Sequence, residues 1–522
     1  MYQHTCLFKN KKLLYFFIVF FTSILLFTPL SPVSASLPTI PLTSIAPVSN
    51  TGYASFGSYR HLVVSNKYGI FFTYKVTADA TTGFGEWRLM RSTDGGKTFT
   101  TVYKQNSLYY SNLSLETDSA GNLYTIVYNT ATETLFYKFS SSNGFSVPIV
   151  SKSIPGASTN FSGKSVFLLD EPHNQLYAFT HVGRKFYIFD LQGMVKKEYQ
   201  LLTELTYAQG STGYLQYPLL YLNEGILYAA WTNAMNAETN QKLYGNITNR
   251  YTSIHFMLSK DGGTTWKKPD GTPLTLPVIS NDQGPATMIS RSDEPSSWLW
   301  SFLVKNGKAH FLYNYWPYKS DGKPDYAKYR YHYVRYNLMT QKKDDFVYAP
   351  STEGLISGVS SWGGDTIHLV NQNGFLATKK GSNDIYAVSK TKEGPIGILV
   401  THDEGNTWHD VAISESLSGN YGGVVGAQEL SSDGTILGMF IQAIADSKTA
   451  VHFFTFNPNV IYSPTSSPSV KNGDFNKDGK IDIYDYNTLI SVFGKSDTAH
   501  DLTGDKKIDI FDYNKFINLF GK

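Results

Sequence analysis

One octet recurs three times in the chain. Ser92, Asp94, Gly96, Thr98 and Phe99 stand at the same spacing as Ser259, Asp261, Gly263, Thr265 and Trp266, and as Thr401, Asp403, Gly405, Thr407 and Trp408. An Asp side chain accepts hydrogen bonds from amides just ahead of it, Gly reaches positive φ, and a hydroxyl satisfies turn amides. Each octet therefore reads as a tight hairpin closed by an aromatic plug. Each follows an apolar run: Trp87 to Met90, Ile254 to Leu258 and Ile396 to Val400.

A second unit recurs, a turn followed by a strand that opens with an aromatic or His. It reads Gly69-Ile70-Phe71, Gly121-Asn122-Leu123-Tyr124, Asn174-Gln175-Leu176-Tyr177, Gly225-Ile226-Leu227-Tyr228, Gly307-Lys308-Ala309-His310, Asp365-Thr366-Ile367-His368 and Gly434-Thr435-Ile436-Leu437. Its closing residues are 51 to 82 residues apart, the length of one four-stranded blade, with an insertion in the fourth interval. Seven copies predict an all-β propeller of seven blades. Six is the alternative, because the last copy lacks the aromatic and the ring must close by sharing strands between its two ends. Val451 to Phe456 is the expected last strand. Abundant Tyr (37), Phe (33) and Gly (43), with only 17% charged residues, suit such a body.

The octet resembles the Asp-box, or BNR repeat, of sialidase-like β-propellers. From Tyr214 to about Ser280 the chain also resembles a BNR-repeat family that includes polysaccharide lyases with seven-bladed propellers. The matching stretches are Tyr214-Leu215-Gln216-Tyr217-Pro218, Asn249-Arg250-Tyr251, the second octet, and the run from Asp270-Gly271-Thr272-Pro273-Leu274 to Leu276-Pro277. Where that family carries a His before the octet, this chain has Thr252. The resemblance implies a carbohydrate-active or carbohydrate-binding propeller.

Elimination from a uronate needs a His or Tyr to remove the proton and a cation to neutralise the carboxylate. Arg250, His310, Tyr313, Arg330, Tyr331 and His332 have the right chemistry. In a strand, Arg330 and His332 share one face while Tyr331 and Tyr333 share the other. A sialidase would use an arginine triad, and Tyr59-Arg60-His61-Leu62 is a poor match to its first motif. A hydrolase needs two carboxylates across a cleft, and Glu86, Glu224, Asp293, Glu294 and Asp325 are not separable from sequence. Lyase, sialidase-like glycosidase and non-catalytic adhesion propeller all stay open.

Lys9, Lys11 and Lys12 precede the apolar run Leu13 to Phe27, and Val33-Ser34-Ala35 offers a cleavage site, so residues 1–35 read as a secretory signal. An uncut anchor is the alternative. Cleavage leaves 42 of the 45 basic residues against 42 acidic ones, so the mature chain is not a polycation suited to nucleic acid or an anionic membrane. It also removes Cys6, the only cysteine, and with it any disulfide, thiol nucleophile or thiolate metal site. The expectation is a secreted, extracellular protein, free or attached to a cell surface, with no membrane span after cleavage.

After the propeller (36–457) a Pro- and Ser-rich linker (458–471) leads to a module at 472–522. Asp474, Asn476, Asp478, Lys480 through its carbonyl, Asp482 and Asp485 occupy positions 1, 3, 5, 7, 9 and 12 of a calcium loop, with Gly479 at position 6. The pattern returns 27 residues on as Asp501, Thr503, Asp505, Lys507 through its carbonyl, Asp509 and Asp512, with Lys506 at position 6. Each loop feeds a short amphipathic helix, Tyr486, Leu489, Ile490 and Phe493 in one and Tyr513, Phe516, Ile517 and Phe520 in the other. Two such units without entering helices resemble a type I dockerin, a small all-α domain. The resemblance implies two Ca2+ ions and a cohesin-type partner. Positions 10 and 11, which help choose the cohesin, are Ile483, Tyr484, Ile510 and Phe511.

Overall fold

The computed structural model describes residues 37–520 except 49–60, 78–83, 109–112, 131, 157–160, 162–163, 205–212, 236–240, 242–249, 281–283, 293–296, 322–324, 326–329, 349–368, 392–394, 418, 446–447, 461–472, 474, 476–480, 482, 496–499 and 504. The expected signal, most of the linker, and Asp474, Asn476, Asp478, Lys480 and Asp482 lie outside the described residues. Two compact units are present, Pro38–Ser463 and one that holds Pro464–Lys522.

The larger unit is a seven-bladed propeller. Sheets built on antiparallel neighbours follow one another at 63–108, 115–153, 166–200, 213–274, 297–348 and 369–414, four-stranded except that the fourth has six strands and the sixth has five, and the seventh is completed from the other end of the chain. Its first three strands are Asn420–Gly426, Ile436–Ala445 and Lys448–Phe456; its fourth is Leu42–Val48, with Leu42 opposite Phe454 and Ile45 opposite Val451. The expected sharing of strands thus takes the form of an N-terminal strand on the last blade. Just before it, Thr39–Ile40 pairs in parallel with the outer strand of blade six.

The second strands are sandwiched between neighbouring sheets, so they lack the half-buried alternation of a surface strand. Leu123–Thr130 and Ile226–Met235 are buried along almost their whole length, whereas the outer strand Val195–Gln200 alternates. Six of the seven turn units start second strands. The seventh, Asp365 to His368, falls outside the described residues, and the second strand of blade six is Ile385–Thr391. The enlarged fourth interval is an insertion on blade four. There Thr287–Met288 returns to pair with Arg250–Ser259, and Val278–Ile279 pairs in parallel with Leu202–Thr203.

The octets are the turns between the third and fourth strands of blades one, four and six. Ser259 Oγ donates to Asp261 Oδ1 and accepts from the Gly263 amide at 2.8 Å; Asp261 accepts from the Thr265 amide and hydroxyl at 2.8 and 2.6 Å. Ser92 with Asp94, and Thr401 with Asp403, repeat this network. The closing aromatic reaches the blade before its own. Phe99 packs on Phe453 at 4.7 Å, Trp266 on Phe186 at 5.5 Å and Trp408 on Tyr333 at 5.3 Å. All three targets sit on third strands, so each octet staples two blades. Such aromatic pairs contribute roughly 0.5–1.5 kcal/mol beyond their buried area.

In the smaller unit, helices Ile483–Ser491 and Ile510–Ile517 close over Ile481, Leu489, Leu502, Ile508 and Phe516. The two apolar stripes expected from sequence are only partly buried. Leu489 and Phe516 are covered, while Ile490, Phe493, Ile517 and Phe520 stay 42–45% exposed. Helices of nine and eight residues offer each other too little surface to hide both stripes.

Candidate functional site

First strands contact one another around the ring and line its axis. A cavity of about 480 Å3 opens among them, walled by blades one to four, by Lys380 of blade six and by residues 427–432 of blade seven. His61 stands in its wall. Its Nδ1 is 2.6 Å from Glu116 Oε1 and its Nε2 is 3.0 Å from Gln428 Oε1. Gln428 Nε2 donates to the Phe302 carbonyl at 2.8 Å, which fixes the amide so that its oxygen faces His61. Both ring nitrogens therefore face acceptors, and the imidazolium is the form that satisfies both. Burial opposes that charge, but the Glu116 carboxylate, supported by Gln428 and Glu429, outweighs it and raises the His61 pKa above its ordinary value. Glu116 Oε2 also accepts from the Leu169 amide at 3.3 Å. One chain of hydrogen bonds thus joins blades three, two, one, seven and five. In the sequence His61 stands out only within the poor arginine motif, because nothing in its neighbourhood announces partners 55 and 367 residues away.

The six catalytic candidates do not converge on this cavity. His310 is buried with its Nδ1 2.7 Å from the Tyr333 hydroxyl, and burial lowers its pKa to about 3, so it is neutral. Tyr331 is buried, and burial raises its pKa. Tyr313 and His332 face each other across neighbouring strands, rings parallel to within 8° at 4.5 Å, and His332 Nδ1 lies 2.9 Å from Asp345 Oδ1. Both rings are sealed from solvent. Arg330 is two residues from His332 and pairs with Tyr315. The expected alternation holds: Tyr336, on the His332 side, meets Phe256 of blade four, and Tyr333, on the other, meets Trp408 of blade six.

Arg250 belongs instead to an aromatic face between blades four and five. Its guanidinium lies 5.3 Å over the Tyr318 ring. Next to it Tyr251 stacks on Trp298 at 5.2 Å, Trp298 on Tyr217 at 4.5 Å, and Lys164 stands 4.0 Å over Tyr217. Tyr251 and Trp298 are partly open to solvent. Stacked rings flanked by cations suit a sugar face that carries negative charge.

In the smaller unit, carboxylate oxygens of Asp501, Asp505 and Asp512 lie within 4.8 Å of one another. Asp512, fully buried, accepts from the Leu502 and Thr503 amides at 2.8 and 2.9 Å. The position-12 residue of the first loop does the same, as Asp485 accepts from the Phe475 amide at 2.7 Å. Lys506 adopts φ +69, the left-handed conformation that Gly takes at position 6, and its amide donates to Asp501 Oδ2 at 2.6 Å. An all-oxygen, carboxylate-rich donor set in a loop of this conformation fits Ca2+. Thr503 and Asp509 bond within the same loop, while Lys507 is exposed.

No protein-family profile matches the chain, and no curated protein sequence does. Among solved structures it is similar to an ulvan lyase of polysaccharide lyase family 25 bound to a glucuronate–rhamnose-3-sulfate ligand, with a TM-score of 0.53 at 10% identity over 78% of this chain and 95% of that one. A second structure of an ulvan lyase of polysaccharide lyase family 25 gives 0.51 at 10% identity over 79% and 94%. A mutant Trypanosoma rangeli sialidase with trans-sialidase activity gives 0.37 at 10% identity over 84% and 63%. What the two lyase structures share with this chain is the propeller fold.

Proposed function

We propose that the propeller binds and acts on an acidic polysaccharide outside the cell, and that residues 472–522 form a calcium-dependent dockerin that attaches it to a cohesin-type partner. The observation that carries the first half is the partly exposed pair Tyr251 and Trp298, backed by the buried Tyr217 ring and flanked by Arg250 and Lys164. Rings supply a stacking face for pyranose rings, and the cations favour carboxylate or sulfate substituents. The lyase likeness is in keeping with this reading and adds the fold alone.

Binding comes before catalysis in this reading, because Tyr313 and His332 are closed to a substrate. Elimination is the second reading, favoured by one observation: Tyr313, Arg330 and His332 share the blade-four side of blade five. The test is a panel of uronate-containing, sulfated and neutral polysaccharides. Affinity electrophoresis reads binding, and ultraviolet absorbance of unsaturated uronate ends reads elimination. Equal retention of neutral and acidic polymers would refute the acidic-ligand reading.

For the second half, Asp501, Thr503, Asp505, Asp509 and Asp512, with the Lys507 carbonyl, would hold one ion, and the matching residues of the first loop the other. The exposed Ile483, Ile510 and Phe511 would face the partner.

A further inference from the structure

The axial cavity contains two kinds of polar group. His61, Glu116 and Gln428 are satisfied by one another, and Glu171 accepts from the amide and hydroxyl of Ser119. Among the groups with no hydrogen-bond partner among the described residues are the Tyr221 hydroxyl, the Glu429 carboxylate and the Lys380 ammonium, all in the cavity wall. Tyr221 is the informative one. Its side chain is only 7% exposed and its ring packs edge-on against Phe302 at 6.0 Å, so the hydroxyl is held at the cavity in a fixed direction. The hydroxyl is open to a guest in the cavity, and a cavity of this size is in the range that holds small ligands. The wall charges are those of Glu116, Glu171 and Glu429 against His61 and Lys380, an excess of one negative charge that disfavours a uronate or sulfate.

We propose that this cavity is a second binding site, separate from the aromatic platform, for a small amine-bearing polyol of the hexosamine class. Tyr221 hydrogen-bonds a ring hydroxyl, Glu429 receives the ammonium group, and the apolar faces of Val63, Leu168 and Leu222 take the carbon side of the ring. The site calls for the opposite charge to that of the platform, so one protein reads two kinds of sugar at two places.

The test is isothermal titration calorimetry of the full chain with glucosamine, glucose and glucuronate. Glucosamine is expected to bind at one site at least tenfold more tightly than the other two. Tyr221→Phe and Glu429→Gln should each weaken it fivefold or more, and Trp298→Ala should leave it unchanged. Glu429 is exposed, so its substitution separates loss of binding from loss of folding; unfolding temperatures of both variants complete that control. Glucosamine heats no larger than those of glucose and glucuronate, or insensitive to both cavity substitutions, would overturn the proposal. Loss in Trp298→Ala alone would assign the binding to the platform and likewise overturn it.

Discussion

Gly263 and Phe186 are in such close contact that a β-carbon on Gly263 would stand 2.4 Å from the edge of the phenyl ring. Gly96 and Gly405 press in the same way on the preceding blade, against Thr455 with Phe453 and against Tyr333. The octet glycine thus serves the joint between blades as well as the turn.

Gly263→Ala should therefore be far more disruptive than Gly95→Ala. Both glycines have positive φ, +82° and +75°, but nothing lies within 4 Å of a β-carbon at Gly95. The difference should be about 1–3 kcal/mol, the usual cost of overpacking, read as a lower unfolding temperature. Adding Phe186→Ala should recover part of it in a double-mutant cycle. Equal effects at the two glycines would show that blade contact is irrelevant.

The His61 bridge predicts a dependence on alkaline pH. A raised folded-state pKa means that the stabilisation is fully present below the unfolded value, about 6.5, and is lost as pH rises through the folded value. The gap in unfolding temperature between the native chain and His61→Gln should be widest near that lower limit and shrink as the pH rises above it through the raised folded value. Imidazole NMR shifts of His61 supply the folded pKa directly. A value at or below the ordinary one contradicts the double-donor assignment.

Calcium should drive folding of residues 472–522, since two short helices and five buried residues make a small core. Chelation should abolish the helical circular dichroism signal and leave the propeller's near-ultraviolet spectrum in place. Asp512→Ala should weaken calcium binding at the second loop at least tenfold. Unchanged helicity in chelator would remove the metal from the account.

Removal of the platform should separate its two components. Trp298→Ala should reduce retention of every polysaccharide that binds, because stacking is indifferent to charge. Arg250→Ala should reduce retention of acidic ones selectively, and that difference should fade with added salt. If Arg250→Ala weakens neutral and acidic polymers alike, the guanidinium is a packing residue over Tyr318.

The blade count and the octet hairpins were legible because both depend on short spacings. A hydroxyl, a carboxylate, a glycine and an aromatic within eight residues satisfy one another locally, so the pattern survives into the fold unchanged. The gathering of the Asp501, Asp505 and Asp512 carboxylates was legible for the same reason, since all three lie within twelve residues. The catalytic candidates were not. Strand alternation placed Arg330 and His332 on one face, but the pairing that adds Tyr313 to it is a matter of register, and whether that face is open depends on the neighbouring blade, where the Tyr313 and His332 rings are closed off.

Local chemistry in the sequence therefore settled the repeating unit, the turns and the loop that can ligate a cation, since each is complete within about a dozen residues. Only the closed ring decided what stands at its centre. His61, Glu116 and Gln428 meet there, as do Tyr221 and Glu429, because seven first strands converge on one axis and bring together positions up to 367 residues apart. No periodicity records such a meeting, because each partner comes from a different turn of the repeat.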